Sequence, residues 1–481
     1  MKKAFIAASF LFLVTAGFAG AADEASWLEL GGDYQYRFDA LKGTVHEYYS
    51  FKDVLPWKLG GMITPPPPTV KSYEVKNDSF MTNRFGLNLK ANALEDVTVK
   101  ARLLMYKVWG QESSTPFDGS FFADRAAGSN DGTVGHVPQD NTLRVDYAYA
   151  TWSSIGQMPL WFSIGRRPTT GGIPNNIRNN TEKTGTAGVP GILVDYAFDG
   201  ATVGYAPDIA ALPGAFIKLC YGKGYDSGYI STAASSLKDT DFYGVMAALY
   251  DTESLRAQVQ YQKGAHIFDA PSDGSAMTGP VRHNLGDIDW IGGVVMGKVN
   301  NLNLFFSAAQ SKTHPNDQMY EVNASATPWD SSTANYVPVA GMLYDAGSAA
   351  ESRTGTAVYV GGRYDIDSTG TKIGAEYNQG SKNWIGMVPA SDDTWTSKLG
   401  TRGQVYEIYI IQEILNRPIA KKGKAFFKLG YQSYKFDYTG SNGWVGAPKK
   451  ISDLAASPAN AQMLAPIEKA TDIYLTFEVR F

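Results

Sequence analysis

From Asp472 to Phe481 apolar and polar residues alternate without a break. Ile473, Leu475, Phe477, Val479 and Phe481 share one face; Asp472, Tyr474, Thr476, Glu478 and Arg480 share the other. A period of two marks a strand lying between two unlike environments. The pattern recurs along the chain. Leu28, Leu30, Tyr34, Tyr36 and Phe38 oppose Glu29, Asp33, Gln35 and Arg37. Phe85, Leu87, Leu89 and Ala91 oppose Arg84, Asn88, Lys90 and Asn92, and Val97, Val99, Ala101, Leu103 and Met105 oppose Thr98, Lys100, Arg102 and Tyr106. Residues 143–152 set Leu143, Val145, Tyr147 and Tyr149 against Arg144 and Asp146. Leu255, Ala257, Val259 and Tyr261 oppose Arg256, Gln258, Gln260 and Gln262; Ile373, Ala375 and Tyr377 oppose Lys372, Glu376 and Asn378.

Each run alone also fits a soluble sandwich. The links between runs discriminate. Short links (93–96, 251–254, 300–301, 365–370) alternate with long ones (39–79, 109–142, 168–190, 264–286, 312–355, 380–402, 439–470). Soluble domains rarely hold so many long structureless links, whereas outer-membrane barrels place short turns on one rim and long loops on the other. The expected fold is all-β: a transmembrane antiparallel up-and-down β-barrel with short periplasmic turns and long extracellular loops. Roughly 17 strand-like runs are legible. Both chain ends belong at the short-turn rim, so the number is even: about 16, within a range of about 14 to 18. Two places resist the count. Residues 191–223 contain three runs where two strands are expected, which implies one strand broken at Asp199-Gly200. Along 427–438 the apolar phase reverses between Tyr431 and Tyr434, which a bulge near Gln432, or emergence from the bilayer, would explain.

Composition supports this reading. The chain carries 28 Tyr, 23 Phe and 10 Trp beside 50 Gly, and no second apolar run long enough for a membrane helix. Lys2 and Lys3, an apolar stretch from Ala4 to Val14, and Ala19-Gly20-Ala21 form a secretory leader over residues 1–21, cleaved near Ala21. Residues 22–481 then form a single barrel domain in the outer membrane of a Gram-negative bacterium. A net charge of −4 points to no nucleic-acid partner. Cys220 stands alone, which excludes an internal disulfide, a cysteine-ligated metal and a covalent c-type haem; no cofactor is expected.

The leader, the alternating strands, the stretch WFSIGRRPTTGGIPNN and the terminal aromatic together resemble Gram-negative porin-like outer-membrane proteins. Within that group the chain is similar to a porin-like family of unassigned function, frequent in metal-respiring bacteria. Ile164 to Pro168 resembles the Gly-Arg segment by which porins enter an inward-folded loop. The resemblance implies such a loop at 168–190, with Arg166, Arg167 and Arg178 near a constriction. An ordinary extracellular loop is the competing reading. Tyr474, Phe477 and Phe481 resemble the terminal signal read by the outer-membrane assembly machinery. A homotrimer is also implied, and outer-membrane lipid and lipopolysaccharide are the surroundings.

A barrel of this size encloses water. Arg37, Arg84, Lys90, Lys100, Arg102, Arg144, Arg256 and Arg480 fall on the inward phase, with Lys372 and Lys428. Most sit on the first four strands and the last, which become neighbours on closure. Two readings follow: a cationic wall that favours anions, or charges paired with Asp33, Asp146 or Glu478 that merely hydrate it. Trp27, Tyr34, Trp152, Trp161 and Tyr474 are candidates for interfacial girdles, with an inward orientation open for Trp152 and Trp161. Pro65 to Pro68 predicts an extended polyproline strut.

His46, His136, His266, His283 and His314 all fall in expected loops without ligand spacing, so no metal site is assigned; His266 and His283, sharing a loop with Asp269 and Asp273, come nearest to one. No Ser, His or Asp grouping is spaced for catalysis, so an enzyme is not expected. Two functions remain. One is a channel for passive or weakly selective diffusion of small hydrophilic solutes or ions. The other, implied only by the family's setting, is a sheath around a periplasmic partner such as a multihaem cytochrome.

Overall fold

The terminal runs pair with each other and close the sheet. Residues 27–59, 61–62, 65–110, 138, 140–169, 171–183, 187–228, 237–269, 283–323, 336–388, 393–420 and 423–481 are described in a computed structural model. The leader expected at 1–21 and its cleavage point lie outside them, as do His136 and Asp273. In chain order the strands are β1 (Leu28–Val45), β2 (Tyr73–Leu94), β3 (Val97–Val108), β4 (Arg144–Trp152), β5 (Leu160–Pro168), β6 (Ala197–Tyr205), β7 (Phe216–Tyr225), β8 (Thr240–Asp251), β9 (Leu255–Phe268), β10 (Asn284–Val299) and β11 (Leu302–Pro315). There follow β12 (Tyr320–Asn323), β13 (Tyr336–Gly341) and β14 (Tyr344–Asp345), then β15 (Thr354–Ile366), β16 (Thr371–Gly380), β17 (Gly403–Glu413), β18 (Lys424–Phe436) and β19 (Ile467–Arg480). β1–β11 and β15–β19 form one closed antiparallel barrel of sixteen strands; β12–β14 form a small separate sheet within one link.

Closure satisfies every ladder without leaving an edge in lipid, where each unpaired backbone group costs several kcal/mol. β1 pairs with β2 on one side and with β19 on the other, where Asp33 lies opposite Arg480 and Leu41 opposite Asp472. The seam ends at Phe481, whose N–H and carbonyl exchange bonds with Gly32 at 2.9 and 2.8 Å. A Cβ on Gly32 would lie 2.7 Å from the Phe481 ring, so only glycine lets the ring lie across the seam.

Val99, Ile164, Leu219, Val259, Val295, Phe306, Ile408 and Leu475 are among the outward residues left exposed, and they form the hydrocarbon-facing belt. Toward the extracellular rim Tyr221 and Tyr261 donate to Asp241 (2.8 Å) and Asp289 (3.0 Å), so the apolar belt gives way there to an aromatic and charged border. The barrel is therefore transmembrane, of the outer-membrane kind.

Several strand readings need correction. Tyr147 and Tyr149 do not continue the outward phase of Val145: a bulge opposite Arg102/Leu103 flips β4, so both tyrosines face inward. β18 has no bulge near Gln432. Its register with β17 and β19 is continuous, and Tyr434 and Phe436 point inward into a buried cluster with Leu41, Trp395 and Leu454. β6 runs unbroken through Asp199-Gly200, while residues 191–196, read as part of a third run, lie inside the barrel. His266 and His314 lie in β9 and β11 rather than in loops, because these strands extend past the bilayer. One further long link, 226–239, joins β7 to β8. Residues 65–69 adopt no helix or strand.

Candidate functional site

The lumen is largely filled by the protein's own links. β10 explains why. Its outward face is apolar, and so is its inward face, where Ile288, Trp290, Val294 and Met296 are almost fully buried. An apolar wall facing water would be costly at ~25 cal/mol per Å². Residues Ile173, Ile177, Val189, Ile192, Leu193 and Val194 from the link after β5 cover it, with Trp384, Ile385 and Met387 from the link after β16. The two links are joined by backbone: the Asp195 N–H donates to the Met387 carbonyl (2.7 Å), and the Met387 N–H to the Leu193 carbonyl (3.1 Å). Buried indoles find carbonyl acceptors, Trp290 on Ile385 (2.8 Å) and Trp384 on Leu399 (2.7 Å). Arg402 clamps the carbonyls of Trp384, Thr439 and Gly443 at 2.9, 3.0 and 2.6 Å, tying in the link after β18.

The segment after β5 crosses the lumen. Up to Ile177 the carbonyls of its helical turn Asn175–Arg178 accept from the chain's own following N–H groups, and those beyond it stay open to other donors. Cations from three strands of the far wall donate to carbonyls of this segment, and a fourth reaches one of its side chains. Arg363 on β15 donates to the Ile177 carbonyl (2.5 Å), Lys428 on β18 to that of Arg178 (3.4 Å), and Arg480 on β19 to those of Asn179 (2.8 Å) and Asn180 (2.6 Å). Lys372 on β16 reaches the Asn180 side chain at 2.8 Å. On the near side Lys183 pairs with Asp251 at the end of β8, and Lys218 on β7 donates to the Ala187 (3.0 Å) and Gly188 (2.8 Å) carbonyls.

Arg178 itself enters a buried polar network. It lies 2.5 Å from Asp393 and 3.4 Å from Glu407. Lys398 bridges Glu407 (2.5 Å) and Glu376. Tyr474 donates to Glu407 (2.5 Å), Tyr359 to Glu376 (2.6 Å), and Gln432 to Asp393 (2.7 Å). Paired with one another, these charges hold two inner segments against the wall; an isolated charge there would cost several kcal/mol. Tyr474 is thus inside, not in a girdle, because it falls on the polar phase of β19. Trp161 also points inward, edge-on to Phe216 with centroids 6.0 Å apart, whereas Trp27 and Trp152 remain exposed. Tyr34 lies on the outward phase between Phe85 and Val479.

The opposite side of the lumen, lined by β1 to β5, is less covered. Arg84, Asn88, Lys90, Lys100, Arg102, Tyr106, Tyr147 and Tyr149 keep intermediate exposure, while Gln260, Ser307, Asn378, Gln432 and Thr476 are at most 5% exposed. Its cations are largely matched by acids. Arg102 holds Asp33 through two bonds (2.6 and 3.0 Å) and lies 3.3 Å from Asp146. Gly86 makes this possible, since a Cβ there would sit 2.4 Å from the guanidinium. Lys90 pairs with Glu29 (2.7 Å), Arg37 with Asp39 (2.7 Å) and Asp472 (3.0 Å), and Arg84 stacks over Tyr106; on β9, outside this wall, Arg256 lies 3.5 Å from Asp251. At the extracellular rim Arg144 and the Thr142 N–H hold the Asp140 carboxylate well below its usual range. Strand alternation separates Arg166 from Arg167. Arg166 takes the lipid-facing phase with Asp199 (3.8 Å), and Arg167 takes the lumen.

Sequence reasoning missed Asp393, Lys398, Trp384 and Arg402, which lie in links. The signal was there: apolar runs inside links, facing a strand apolar on both sides. Among the described residues no group of three or more His, Cys, Asp or Glu side chains is arranged to hold a metal.

Comparisons with known proteins follow the fold. No curated protein matches the chain. Among solved structures it is similar to OmpT, an outer membrane protein of Vibrio cholerae in trimer form, at 9% identity over 94% of this chain and 99% of that one, with a TM-score of 0.41. It is similar to an anion-selective porin from Comamonas acidovorans (11% identity, 94% and 99% covered, TM-score 0.42). It is likewise similar to Salmonella typhi OmpF in complex with daunomycin (11%, 94% and 97%, TM-score 0.42). Residues 74–481 match the model of a family described as a protein of unknown function (DUF3373), and the chain belongs to that family.

Proposed function

We propose that the protein is an outer-membrane channel for small hydrophilic solutes or ions, whose water path is confined to the β1–β5 side of the barrel. One observation carries the reading: Arg84, Asn88, Lys90, Lys100, Tyr106, Tyr147 and Tyr149 on β2 to β4 keep intermediate exposure, although Arg37, Asp39, Thr82 and Ser163 on the same wall are buried, while Gln260, Ser307, Asn378, Gln432 and Thr476 on the remaining wall are at most 5% exposed. The Arg102–Asp33, Lys90–Glu29 and Arg144–Asp140 pairs give this path alternating charge, so its selectivity is weak. The buried Glu376 and Glu407 are engaged by Lys398 and tyrosine hydroxyls beneath the inner segments, which favours a structural over an enzymatic role. The sheath reading needs a lumen free for a partner, and no feature of the occupied lumen favours it.

Purified protein in planar bilayers tests this. The expected result is a steady conductance without any partner, well below that of an open barrel of equal strand number. No conductance alone, with conductance or haem retention only alongside a periplasmic cytochrome, would favour the sheath instead.

A further inference from the structure

Six arginines that face the lumen or reach into it have a carboxylate oxygen 2.5 to 2.7 Å away: Arg37, Arg102, Arg144, Arg178, Arg363 and Arg480. Arg256 lies farther from its carboxylate, at 3.5 Å, and Arg402 is engaged by three carbonyls instead; Arg167 has neither arrangement. Its Nε donates to the Ser163 hydroxyl (2.7 Å), its Nη1 to the Thr202 hydroxyl, and its face lies over the Tyr149 ring at 5.7 Å. Among the described residues no carboxylate pairs with it, and its Nη2 makes no hydrogen bond. Cys220 follows Thr202 in the chain of contacts, at 3.6 Å. The nearby charged groups add to the imbalance. Lys218, two strands away and 1% exposed, is close enough for its charge to interact with that of Arg167.

A half-buried guanidinium without a counterion is costly unless an anion is supplied. The planar fork suits two oxygens of one oxyanion, and the two hydroxyls that accept from it fix its orientation. We propose that Arg167, held by Ser163 and Thr202 at the root of the inner segment, is a binding site for a small oxyanion entering the lumen. The site rests on the channel reading for its supply of ligand, but its occupancy does not depend on conduction.

Two readouts separate the ideas. In detergent at low ionic strength, sulfate or inorganic phosphate is expected to raise the melting temperature of the wild-type protein. R167Q should weaken that response about tenfold, and R167K less, since a point charge replaces the fork. In bilayers the same anions should reduce the chloride current of the wild type but not of R167Q. Absence of any sulfate or phosphate response in the wild type, or an equal response in R167Q, overturns the site. A wild type that binds sulfate yet passes no current leaves the site standing and removes the channel reading. If R167Q fails to fold, S163A/T202V serves in its place: retained binding at wild-type strength would overturn the proposed role of the hydroxyls and with it the site.

Discussion

Arg480 and Asn180 lie 300 positions apart, and the guanidinium of the first donates to the carbonyl of the second at 2.6 Å. The last strand thus carries the barrel seam on its edge and, on its inward face, a latch on the tip of the inner segment. The cations of β15, β16, β18 and β19 are engaged by that segment, so they contribute little free charge to the water path.

Replacing Arg480 by Gln removes its two charged hydrogen bonds to the inner segment, each worth about 1.5–3 kcal/mol, together with its pair to Glu478. The expected outcome is faster hydrogen exchange confined to residues 175–183 and a larger, noisier conductance, with the barrel melting as a unit. Unchanged exchange in that segment would show that the latch is not holding it.

Glu407 sits between Lys398 and Arg178, with the Tyr474 hydroxyl as a third partner. E407Q leaves Lys398 with Glu376 alone and Arg178 with Asp393 alone, and is expected to cost up to about 3–5 kcal/mol. E407Q/K398M should cost less than the sum of its parts, because each single variant already removes a partner of the other charge. Chemical unfolding of the three variants measures the coupling.

Arg102 neutralises Asp33 and approaches Asp146 within the exposed side of the lumen. R102Q frees both carboxylates, so the reversal potential in a salt gradient should move toward cation preference, while D33N should move it the other way. A shift in neither variant would place the ion path elsewhere.

On the extracellular side the Lys223 ammonium and the Ser227 N–H lower the Asp239 carboxyl to about 2. A depressed carboxylate stabilises above its unfolded value and loses that contribution as pH falls through the folded one. Exchange protection at Ser227 should therefore persist from neutral pH down to roughly pH 3 and decline only below it. D239N should lack the protection throughout that range.

How much of this was legible beforehand depended on which residues repeat. The lipid phase of β1, β2, β3, β9, β16 and β19 was readable because one face was apolar and the other charged. β10 was not, since Ile288, Trp290, Val294 and Met296 make its inward face as apolar as its outward one. Tyr434 and Phe436 misled for the same reason: an aromatic pointing inward signals an interior filled by protein, not a shifted register. The flip at Tyr147 was hidden because tyrosine suits lipid border and polar lumen alike. Arg37, Arg84, Arg102, Arg144, Arg256 and Arg480 were identifiable as inward from alternation; Arg363 was not among them, and the carboxylates Asp393, Asp140 and Asp365 sit in links or strand ends whose approach depends on the closed barrel.

The central claim is that water reaches one side of the lumen and protein fills the other. Single cysteines in a C220S background, at Asn88, Lys100 and Tyr147 on the first side and at Gln260, Ser307 and Asn378 on the second, can be labelled with a hydrophilic maleimide in intact outer membranes. The account predicts rapid labelling of the first three and protection of the other three. Equal labelling around the whole ring would mean an open tube and would contradict it.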